Sequence, residues 1–474
     1  MSDTLMVSVS GVRGLVGSDL TPEVVARWAA AFGTWAKAGK GDGGRGKGKA
    51  ARIVLGRDAR TSGPMFVDAA TAGLVSIGCD VVDVGLVPTP TVQLAVEHHR
   101  AAGAIVLTAS HNPIEWNALK FVGPDGIFLD GAAGTRVRDL AAGGEHSLPR
   151  ANYNALGGVE ADADAISRHL AAVLALRGLD VRAIRRRRFR VALDCVRGAG
   201  GAVMPELLQR LGCRVAAINT ETDGLFPRPP EPVPENLKAL GALVRRTKAD
   251  IGIAVDPDVD RLAIVDERGN PIGEDYTLAF AIRAVLGKRD GGRGKGKTVV
   301  CNLSTSLVVE DAAKEFGATV VRAAVGEANV AKKIIELKAV IGGEGNGGVM
   351  YPALHVGRDA PLAGALVLGL LAREQASVNE LVARGPRYTI VKAKLERGTW
   401  NVERLAAQVY PALRSRFPEA TADTQDGLRL AWPDRWLHVR PSGTEPIIRF
   451  IAEAPARADA EKLIDEGRRL CAAS

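Results

Sequence analysis

The sequence predicts an α/β fold with three similar three-layer α/β domains, mainly parallel in their sheets, plus a smaller C-terminal α+β domain, arranged around a central cleft. Buried apolar strands alternate with amphipathic helices in three successive units, which is typical of parallel sheets with helices on both faces. The last strand of each unit runs into a polar loop, and open α/β sheets bind ligands at such strand ends. A tail with a different order of elements follows. We therefore expect four domains, at residues 1–158, 159–272, 273–385 and 386–474.

The first three domains are each predicted to contain strand, helix, strand, helix and strand in that order. In the first domain these elements are expected at 52–55, 64–77, 80–84, 91–99 and 104–107. In the second they are expected at 190–193, 202–211, 214–219, 235–247 and 251–255, and in the third at 298–301, 307–316, 319–323, 327–337 and 339–342. The tail is expected to form strand 388–395, helix 401–417, short strands near 428–431 and 437–439, strand 447–454 and helix 458–471.

Three carboxylates follow the last predicted strand of the second domain, at Asp256, Asp258 and Asp260 in the segment 256–261, here called the Asp256 loop. Alternate side chains of an extended chain point the same way, so the three carboxylates can converge on one point. A hard divalent cation would remove their mutual repulsion. Because the ligands are oxygen atoms alone, Mg²⁺ is favoured, with Mn²⁺ and Ca²⁺ as alternatives.

An EF-hand calcium loop is one alternative for this segment, because Glu267 stands where the twelfth ligand of such a loop would be. The sixth position would be Arg261, however, where the sharp turn needs Gly, and 262–265 is predicted as a strand. The segment also follows a predicted strand, whereas an EF-hand loop follows a helix. An acidic surface loop without a metal is the other alternative.

Ser110 lies in the segment 108–113, here called the Ser110 loop, directly after a predicted strand and beside His111 and Asn112. A hydroxyl at this position could act as a nucleophile or as a phosphate carrier. A structural Ser/Asn turn explains the same residues equally well. The flanking residues lack the Gly-x-Ser-x-Gly pattern of a hydrolase nucleophile elbow.

Two further loops indicate ligand binding. The segment 440–446, here called the Arg440 loop, begins Arg-Pro-Ser-Gly-Thr and predicts an anion site, because Arg offers a planar fork for phosphate and the next residues can add hydroxyls and backbone N–H groups. A simple turn with a surface Arg is the alternative. The segment 343–348, here called the Glu344 loop, sets Glu344 and Asn346 among glycines, which suits sugar hydroxyls, although a tight turn has the same composition.

The net charge of +8 is concentrated in three segments, so it does not by itself indicate nucleic-acid binding. Residues 39–49, 288–297 and 182–190 carry net charges of +3, +4 and +6, which leaves −5 for the rest of the chain. Two of these segments contain the same heptad, Gly-Gly-Arg-Gly-Lys-Gly-Lys, at 43–49 and 291–297. Without apolar residues both heptads are expected to be mobile surface loops, with incidental polyanion contact as the alternative. Neither contains an aromatic residue on which a base could stack, so no specific nucleic-acid partner is expected.

The composition favours a globular protein of a reducing compartment. Hydrophobic residues make up 46% of the chain, enough for a sizeable core, and no stretch approaches the roughly 20 apolar residues of a membrane span. Residues 1–14 lack the features of a secretory signal. The five cysteines form no Cys-x-x-Cys pair. We expect a cytoplasmic protein, monomeric or homodimeric, without membrane contact.

Five motifs stand in a recognisable order along the chain: Val12-Arg13-Gly14, 108–113, 256–261, 343–348 and 440–446. On these motifs the chain resembles the α-D-phosphohexomutase family over nearly its whole length. The resemblance implies four domains around a cleft and an enzyme that acts on a phosphorylated hexose. It interconverts the hexose 6-phosphate and 1-phosphate.

The resemblance also implies a mechanism. Ser110 would be phosphorylated and would hold Mg²⁺ together with Asp256, Asp258 and Asp260. Phospho-Ser110 would give its phosphoryl group to the sugar, and the sugar bisphosphate would turn over in the cleft and return its other phosphate to Ser110. A sugar bisphosphate would therefore also prime the enzyme.

The remaining motif residues are implied to bind or position the substrate. Arg13, His111 and Lys120 would line the reaction centre, with Lys120 in proton transfer. Arg261 would brace the Asp256 loop, and Glu344, beside Asn346, would hold sugar hydroxyls. The residues implied to hold the phosphate that is not reacting are Arg440, Ser442, Gly443 and Thr444, with Arg449 as a second charge.

Several positions depart from the usual residues of the family. Asn346 and Gly348 stand where many members have Ser and His, and Ala118 replaces a Gly. Glu327 follows Gly326 where phosphoglucosamine mutases carry Asp and bacterial phosphomannomutase/phosphoglucomutases carry His. The Ser110 loop and the acidic Glu327 favour phosphoglucosamine mutase, with phosphomannomutase/phosphoglucomutase as the alternative. A metal-dependent sugar phosphatase and a polyanion-binding protein are the other function classes.

Overall fold

The computed structural model describes residues 5–8, 11–39, 50–143, 147–287, 296–396, 402–442 and 447–473. Within these ranges the chain forms four sheets, one after another along the sequence. The heptads at 43–49 and 291–297 lie outside the described residues, except for Gly296 and Lys297. No described helix is both long enough and apolar enough to cross a membrane.

The first domain contains seven strands and four helices. They are β1 (Met6–Ser8), β2 (Gly11–Leu15), α1 (Pro22–Ala38), β3 (Ala51–Arg57), α2 (Gly63–Ser76), β4 (Cys79–Leu86), α3 (Thr89–His99), β5 (Gly103–Leu107), β6 (Trp116–Val122), α4 (Gly131–Ala142) and β7 (Val159–Ala161). The sheet order is β1-β2-β6-β5-β3-β4-β7, with β3, β4, β5 and β7 parallel and the other three joined antiparallel. Phe32 of α1 stacks on Phe121 of β6 at 4.9 Å between ring centroids, so α1 covers the antiparallel side of the sheet.

The second domain has a four-stranded sheet in the order β11-β10-β8-β9, in which only β11 is antiparallel. Its elements are α5 (Ala165–Leu174), α6 (Val181–Arg187), β8 (Arg190–Asp194), α7 (Gly200–Arg210), β9 (Arg214–Ile218), α8 (Lys238–Thr247), β10 (Ile251–Val255) and β11 (Leu262–Val265). Helix α8 buries Leu240, Leu243 and Val244, which share one face at i, i+3 and i+4.

The third domain repeats this arrangement, with the order β13-β12-β14-β15 and only β15 antiparallel. Its elements are α9 (Asp275–Leu286), β12 (Thr298–Asn302), α10 (Val308–Lys314), β13 (Thr319–Ala323), α11 (Glu327–Leu337), β14 (Ile341–Glu344), β15 (Gly348–Met350), α12 (Ala360–Glu374) and α13 (Val378–Val382). Helices α9 and α12 are buried almost all round, because one apolar core runs through the second and third domains.

The C-terminal domain is a five-stranded antiparallel sheet in the order β16-β20-β19-β18-β17. Its strands are β16 (Thr389–Glu396), β17 (Thr421–Asp423), β18 (Leu428–Ala431), β19 (Trp436–Pro441) and β20 (Ile447–Ala454). Its helices are α14 (Val402–Arg404), which continues through a π-helical turn (Leu405–Val409) into α15 (Tyr410–Arg416), and α16 (Arg457–Ala473).

The predicted order of three α/β units and a different tail is confirmed. The sheets are more mixed than the sequence pattern indicated, since β2, β6 and β15 add antiparallel strands at the cleft side of the parallel ones. Strand β6 carries Asn117 and Lys120 among its apolar residues, which interrupts the pattern by which a buried strand is recognised. The Asp256 loop joins strands β10 and β11, so the EF-hand alternative is wrong.

The loops that follow β5, β10 and β14 lie against one another. The Thr89 N–H donates to Asp258 O at 2.9 Å, which joins the first domain to the Asp256 loop. The Leu262 N–H, at the start of β11 and directly after that loop, donates to Gly347 O of the Glu344 loop at 3.1 Å. Gly347 has φ +88°, and a Cβ there would lie 2.4 Å from Leu262 O, so this close approach requires glycine. The three polar loops therefore meet at one place in the molecule.

Candidate active site

Ser110 occupies a sharply turned backbone at the end of β5. Its φ of +49° lies in the left-handed region, which a non-glycine residue keeps only when its surroundings hold it there. The Ser110 N–H donates to Thr108 Oγ1 at 2.9 Å. Its hydroxyl is buried and donates to Asp256 Oδ2, also at 2.9 Å. The serine of the first domain thus reaches the carboxylates of the second.

Arg60 holds the Ser110 loop from behind, a role that the sequence analysis missed. Its guanidinium is buried and donates to four backbone carbonyl oxygens, those of Ser110, Asn112, Pro113 and Trp116, at 2.6 to 2.8 Å. Its Nε pairs with the buried Asp58 at 3.2 Å. The one sequence signal is a pair of opposite charges directly after a buried strand, where an isolated surface pair is usually expected.

Asp256, Asp258 and Asp260 form a fully buried cluster in which one oxygen of each carboxylate lies within 4.8 Å of the others. Among the described residues nothing hydrogen-bonds Asp258 Oδ1 or Asp260 Oδ1. Buried carboxylate oxygens without partners are costly, and a divalent cation bound by oxygen ligands would pair both of them. The donor set therefore fits Mg²⁺.

The second oxygen of two of these carboxylates is held by a cation. Asp258 Oδ2 accepts from Lys120 Nζ at 2.7 Å and from Thr89 Oγ1 at 2.9 Å. Asp260 Oδ2 accepts from Arg358 Nη2 at 2.6 Å. These partners hold Oδ2 of both carboxylates, while Oδ1 of each has no hydrogen bond among the described residues and Asp260 Oδ1 lies 3.8 Å from Arg261 Nε.

The clustered carboxyl groups differ in acidity. Burial and the nearby charges of Asp260 and Asp258 raise the pKa of Asp256 well above its usual value. Burial acts on Asp258 in the same direction, but the Lys120 ammonium and the hydrogen bonds to Oδ2 hold the pKa of Asp258 below its usual value. Such a split is typical of carboxylates too close to ionise independently.

Cationic side chains from two domains surround Ser110. Arg13 Nη1 donates to Asn112 Oδ1 at 2.6 Å, and Arg261 Nη1 pairs with Glu231 Oε1 at 3.4 Å. The charge of Arg261, then burial and the charge of Arg13, lower the pKa of His111 well below its usual value. His111 is therefore a neutral imidazole at neutral pH. Glu231 was missed by the sequence analysis.

Glu344 is buried, and both of its carboxylate oxygens have partners. Oε1 accepts from Asn302 Nδ2 at 2.8 Å and from the Gly326 N–H at 3.1 Å. Oε2 accepts from Arg358 Nη1 at 2.8 Å and from Asn346 Nδ2 at 3.4 Å. The contact of Asn346 is the longest of the four, and it is partly buried, as is that of Gly326.

Arg358 was also missed by the sequence analysis. It is 7% exposed and contacts carboxylates of both polar loops, together with that of Glu327, whose Oε2 lies 3.0 Å from Arg358 Nε. Glu327 also accepts from Gln93 Nε2 at 3.4 Å, and burial raises its pKa. The carboxylate of Glu327 is therefore turned toward Arg358 and the protein interior.

The Arg440 loop is described as far as Ser442, so Gly443 and Thr444 lie outside the described residues. Arg440 on β19 is paired across the sheet with Arg449 on β20, which sets two cations side by side. Arg440 Nε lies 3.0 Å from Asp426 Oδ2, and the Ser442 N–H donates to Ile447 O at 2.8 Å. The carboxylate of Asp426 thus lies beside the guanidinium for which the sequence predicts a phosphate.

Comparison with known proteins places this arrangement in a family. Four family models match in order: phosphoglucomutase/phosphomannomutase alpha/beta/alpha domain I at residues 5–146, domain II at 167–269, domain III at 273–388 and the C-terminal domain at 391–470. The chain belongs to the phosphoglucomutase/phosphomannomutase family. It is a phosphohexomutase and hence an enzyme of the isomerase class.

Relatives of this phosphohexomutase extend over the full length of the chain. It is 38% identical over 461 residues to a phosphoglucomutase/phosphomannomutase of Thermococcus kodakarensis, covering 97% of each chain. It is 33% identical to a phosphoglucosamine/phosphogalactosamine mutase of Sulfurisphaera tokodaii, covering 98% of each. Among solved structures, a phosphoglucomutase/phosphomannomutase family protein of Burkholderia thailandensis superposes with a TM-score of 0.84 at 28% identity, covering 99% of this chain and 97% of that one.

Proposed function

We propose that this phosphohexomutase interconverts hexose 6-phosphate and hexose 1-phosphate through a phosphorylated Ser110 and a bisphosphorylated sugar, with glucosamine phosphate as the favoured substrate. The observation that carries the proposal is the hydrogen bond of 2.9 Å from Ser110 Oγ to Asp256, inside the buried cluster of three carboxylates. A hydroxyl placed in this way can carry a phosphoryl group next to a site that neutralises its charge.

The first half of the reaction transfers the phosphoryl group of phospho-Ser110 to a free hydroxyl of the sugar phosphate. The bond from phosphorus to Ser110 Oγ breaks and a bond from phosphorus to the sugar oxygen forms. The sugar hydroxyl gives its proton to a base, and Ser110 Oγ takes up a proton to become the serine hydroxyl. Lys120, whose Nζ lies 2.7 Å from Asp258, is our candidate for the proton transfer, and Arg13 and His111 complete the reaction centre. The reverse transfer from the other end of the bisphosphate restores phospho-Ser110.

The residues that would hold Mg²⁺ are Asp256, Asp258, Asp260 and the phosphorylated Ser110. When bound, the ion would neutralise charge on the phosphoryl group. Arg261 stabilises the Asp256 loop, because its backbone N–H donates to Asp256 Oδ1 at 3.1 Å and its guanidinium pairs with Glu231.

The other loops would hold the parts of the substrate that do not react. Arg440, with Arg449 beside it, offers the charge for the second phosphate, and Ser442, Gly443 and Thr444 would add donors. Glu344 would bind sugar hydroxyls. Because the contact of Asn346 to Glu344 is the longest of the four at that carboxylate, a sugar hydroxyl would take its place.

The choice of sugar rests on the Ser110 loop sequence and on the relatives, one of which is named for glucosamine and galactosamine phosphates. Glu327 is not proposed to contact the sugar directly, because its carboxylate faces Arg358. A phosphomannomutase/phosphoglucomutase activity is the second candidate, favoured by the name of the relative that is 38% identical.

The test is a mutase assay with glucosamine, mannose and glucose phosphates side by side, with inorganic phosphate measured in each reaction. We expect turnover in both directions, fastest with glucosamine phosphate, and little phosphate release. Faster turnover of mannose or glucose phosphate would support the second candidate. Stoichiometric release of inorganic phosphate without isomerisation would overturn the proposal in favour of a phosphatase.

A further inference from the structure

Arg358 connects the two loops that serve different parts of the proposed reaction. Its Nη2 atom contacts Asp260 Oδ2 in the Asp256 loop at 2.6 Å. Its Nη1 atom contacts Glu344 Oε2 in the Glu344 loop at 2.8 Å. Its Nε and backbone N–H contact the two oxygens of Glu327 at 3.0 and 3.2 Å. One planar guanidinium therefore hydrogen-bonds the carboxylates of Asp260 and Glu344 and lies within ion-pair distance of that of Glu327, an arrangement that a Lys ammonium with its single centre could not reproduce in these directions.

Gly348 makes room for this side chain. A Cβ at position 348 would lie 2.2 Å from Arg358 Cδ and 2.8 Å from Arg358 Cγ, so any larger residue would displace the stem of the arginine. Gly348 is one of the positions at which this chain differs from the usual residue of the family, which is His in many members. The departure at Gly348 and the placement of Arg358 are thus parts of one arrangement.

The orientation of Asp260 follows from the same contact. Arg358 binds Oδ2, and the buried Oδ1, 3.8 Å from Arg261 Nε, has no hydrogen-bond partner among the described residues. One oxygen of Asp260 lies in the cluster with Asp256 and Asp258. Without the guanidinium, the Asp260 carboxylate could rotate, and Glu344 would lose one of its two shortest contacts.

We propose that Arg358 is a positioning residue that couples the Glu344 loop to the Asp256 loop, holding Asp260 for a divalent cation and Glu344 for the sugar. The inference deepens the proposed function and rests on it. Partners that orient metal ligands in this way typically change metal affinity by about 10- to 100-fold when removed. A single substitution at Arg358 should therefore weaken both cation binding and sugar binding.

The experiment measures Mn²⁺ binding to the unmodified full chain and its variants by the electron paramagnetic resonance signal of the free ion, without sugar. We expect Arg358→Met to bind Mn²⁺ about 10- to 100-fold more weakly than the parent. The opposite sign is expected if Arg358 only balances charge, because removing a cation next to carboxylates favours another cation. Binding of Mn²⁺ that is unchanged or tighter in Arg358→Met would overturn the proposal.

Two variants keep the charge of Arg358 and change only its position. Arg358→Lys loses the planar fork, and Gly348→Ala pushes the arginine stem aside. We expect both to weaken Mn²⁺ binding by several-fold and to raise the KM for the sugar phosphate. Binding of Mn²⁺ equal to that of the parent in both variants would contradict a positional role.

Two controls separate coupling from loss of structure. Arg283 is also 7% exposed and pairs with Glu315 at 2.8 Å on the far side of the third domain, so Arg283→Met should lower stability and leave Mn²⁺ binding unchanged. Asn302→Ala removes a contact to Glu344 and the contacts of Asn302 Oδ1 to Ser304 and Thr305, but no hydrogen bond to the Asp256 loop, so it should raise KM without changing Mn²⁺ binding. A weakening of Mn²⁺ binding in either control as large as in Arg358→Met would overturn the coupling.

Asp258→Asn separates failure of this inference from failure of the proposed function. If Asp258→Asn binds Mn²⁺ like the parent, the cation assignment itself is wrong. If Asp258→Asn loses Mn²⁺ binding while Arg358→Met keeps it, only the role of Arg358 is wrong.

Discussion

Ser110 depends on Arg60 more than on its own neighbours in sequence. One buried guanidinium donates to three carbonyl oxygens of the Ser110 loop and to that of Trp116 at the start of β6, which holds the serine at its left-handed φ. Asp58 in turn fixes Arg60 and also accepts from Thr108 Oγ1 at 2.6 Å. The reactive hydroxyl is therefore preorganised by charge-assisted bonds to the backbone.

Arg60→Met should lower turnover by about 100-fold, since a shift of the serine by about 1 Å has effects of that size. It should also lower the free energy of unfolding by about 3–5 kcal/mol, because Asp58 would be left buried without its partner. Turnover is measured below the unfolding midpoint of the variant. Arg373→Met is the control, because Arg373 also binds backbone carbonyls, those of Arg283 and Ala284, but far from Ser110. Parent-like turnover in folded Arg60→Met would refute this role.

His438 should make stability fall as the pH is lowered. It is fully buried, its Nε2 donates to Asp426 O at 2.6 Å and its Nδ1 accepts from Ser304 Oγ at 2.9 Å. Burial lowers the pKa of His438 to about 4, against the opposing effect of Asp426. The unfolded chain therefore binds a proton that the folded chain rejects between about pH 6.5 and 4, and stability is lost as the pH falls through this window.

His438→Gln tests this sign. Without the imidazole, the loss of stability between pH 7 and pH 5 should be smaller than in the parent by about 2 kcal/mol. Urea denaturation of both proteins at the two pH values measures the difference. An equal loss in the two proteins would show that His438 does not titrate in this range.

The residues that the sequence could predict are those with a distinctive local pattern. Asp256, Asp258 and Asp260 alternate after an apolar strand, and Ser110 follows another, so their candidacy is visible in the chain alone. Arg60 and Arg358 are not visible in this way, because Arg60 mainly binds backbone carbonyls of a distant loop and Arg358 binds carboxylates that belong to different loops. Single arginines in a chain with 62 basic residues give no signal of burial.

At the scale of elements, β19 carries the proposed phosphate clamp. Arg440 and Arg449 lie opposite each other on β19 and β20, and Asp426 in the turn between β17 and β18 pairs with Arg440. Asp426 Oδ2 also accepts from the Val325 N–H of the third domain at 3.2 Å. A substrate phosphate would compete with Asp426 for the same guanidinium.

Arg440→Ala should raise the KM for hexose phosphate by roughly 10- to 150-fold, the effect of losing one charge-assisted pair. Arg440→Lys should recover only part, because Lys lacks the planar fork. Steady-state kinetics with the 1-phosphate and with the 6-phosphate measure both directions. Arg416→Ala, an exposed arginine of the same domain paired with Glu466, is the matched control and should behave like the parent. Parent-like KM values for Arg440→Ala in both directions would remove the clamp from this strand.

The elements that the sequence could predict are those with a continuous apolar pattern, namely the parallel strands and the helices that follow them. Strand β2 was missed because Gly11 and Gly14 interrupt it, and β6 because polar side chains that reach the cleft lie within it. Helices α9 and α12 are apolar on all faces, so they show no helical period. These elements are recognisable only from the tertiary core that buries them.

At the scale of the molecule, a buried polar network joins the first three domains. Thr91 Oγ1 contacts His169 Nδ1 at 2.8 Å, and His169 Nε2 contacts Asp359 Oδ2 at 2.8 Å, with His355 on the same carboxylate oxygen at 3.0 Å. These contacts cross from the first domain to the second and the third. These contacts help to fix the positions of the first three domains, and so of the three loops of the site, relative to one another.

The glycine-rich basic heptads are predicted to be dispensable for chemistry. Replacing 43–49 and 291–297 by short neutral loops should leave turnover within a few-fold of the parent, because these segments have too little apolar surface to order themselves. The kinetics are compared at low and high salt. A large loss of activity at low salt in a folded variant would instead give the heptads a part in collecting anionic substrate.

The central claim is that Ser110 carries the phosphoryl group, and phosphoryl labelling followed by peptide mapping tests it most directly. The enzyme is incubated with a hexose bisphosphate labelled on phosphorus, one portion is then chased with unlabelled hexose phosphate, and both portions are digested. We predict one labelled peptide, containing Ser110 and about 80 Da heavier, that loses its label in the chase. In Ser110→Ala the label should be absent and turnover lower by orders of magnitude with the fold intact. Label on another residue, or full turnover by Ser110→Ala, would contradict the account.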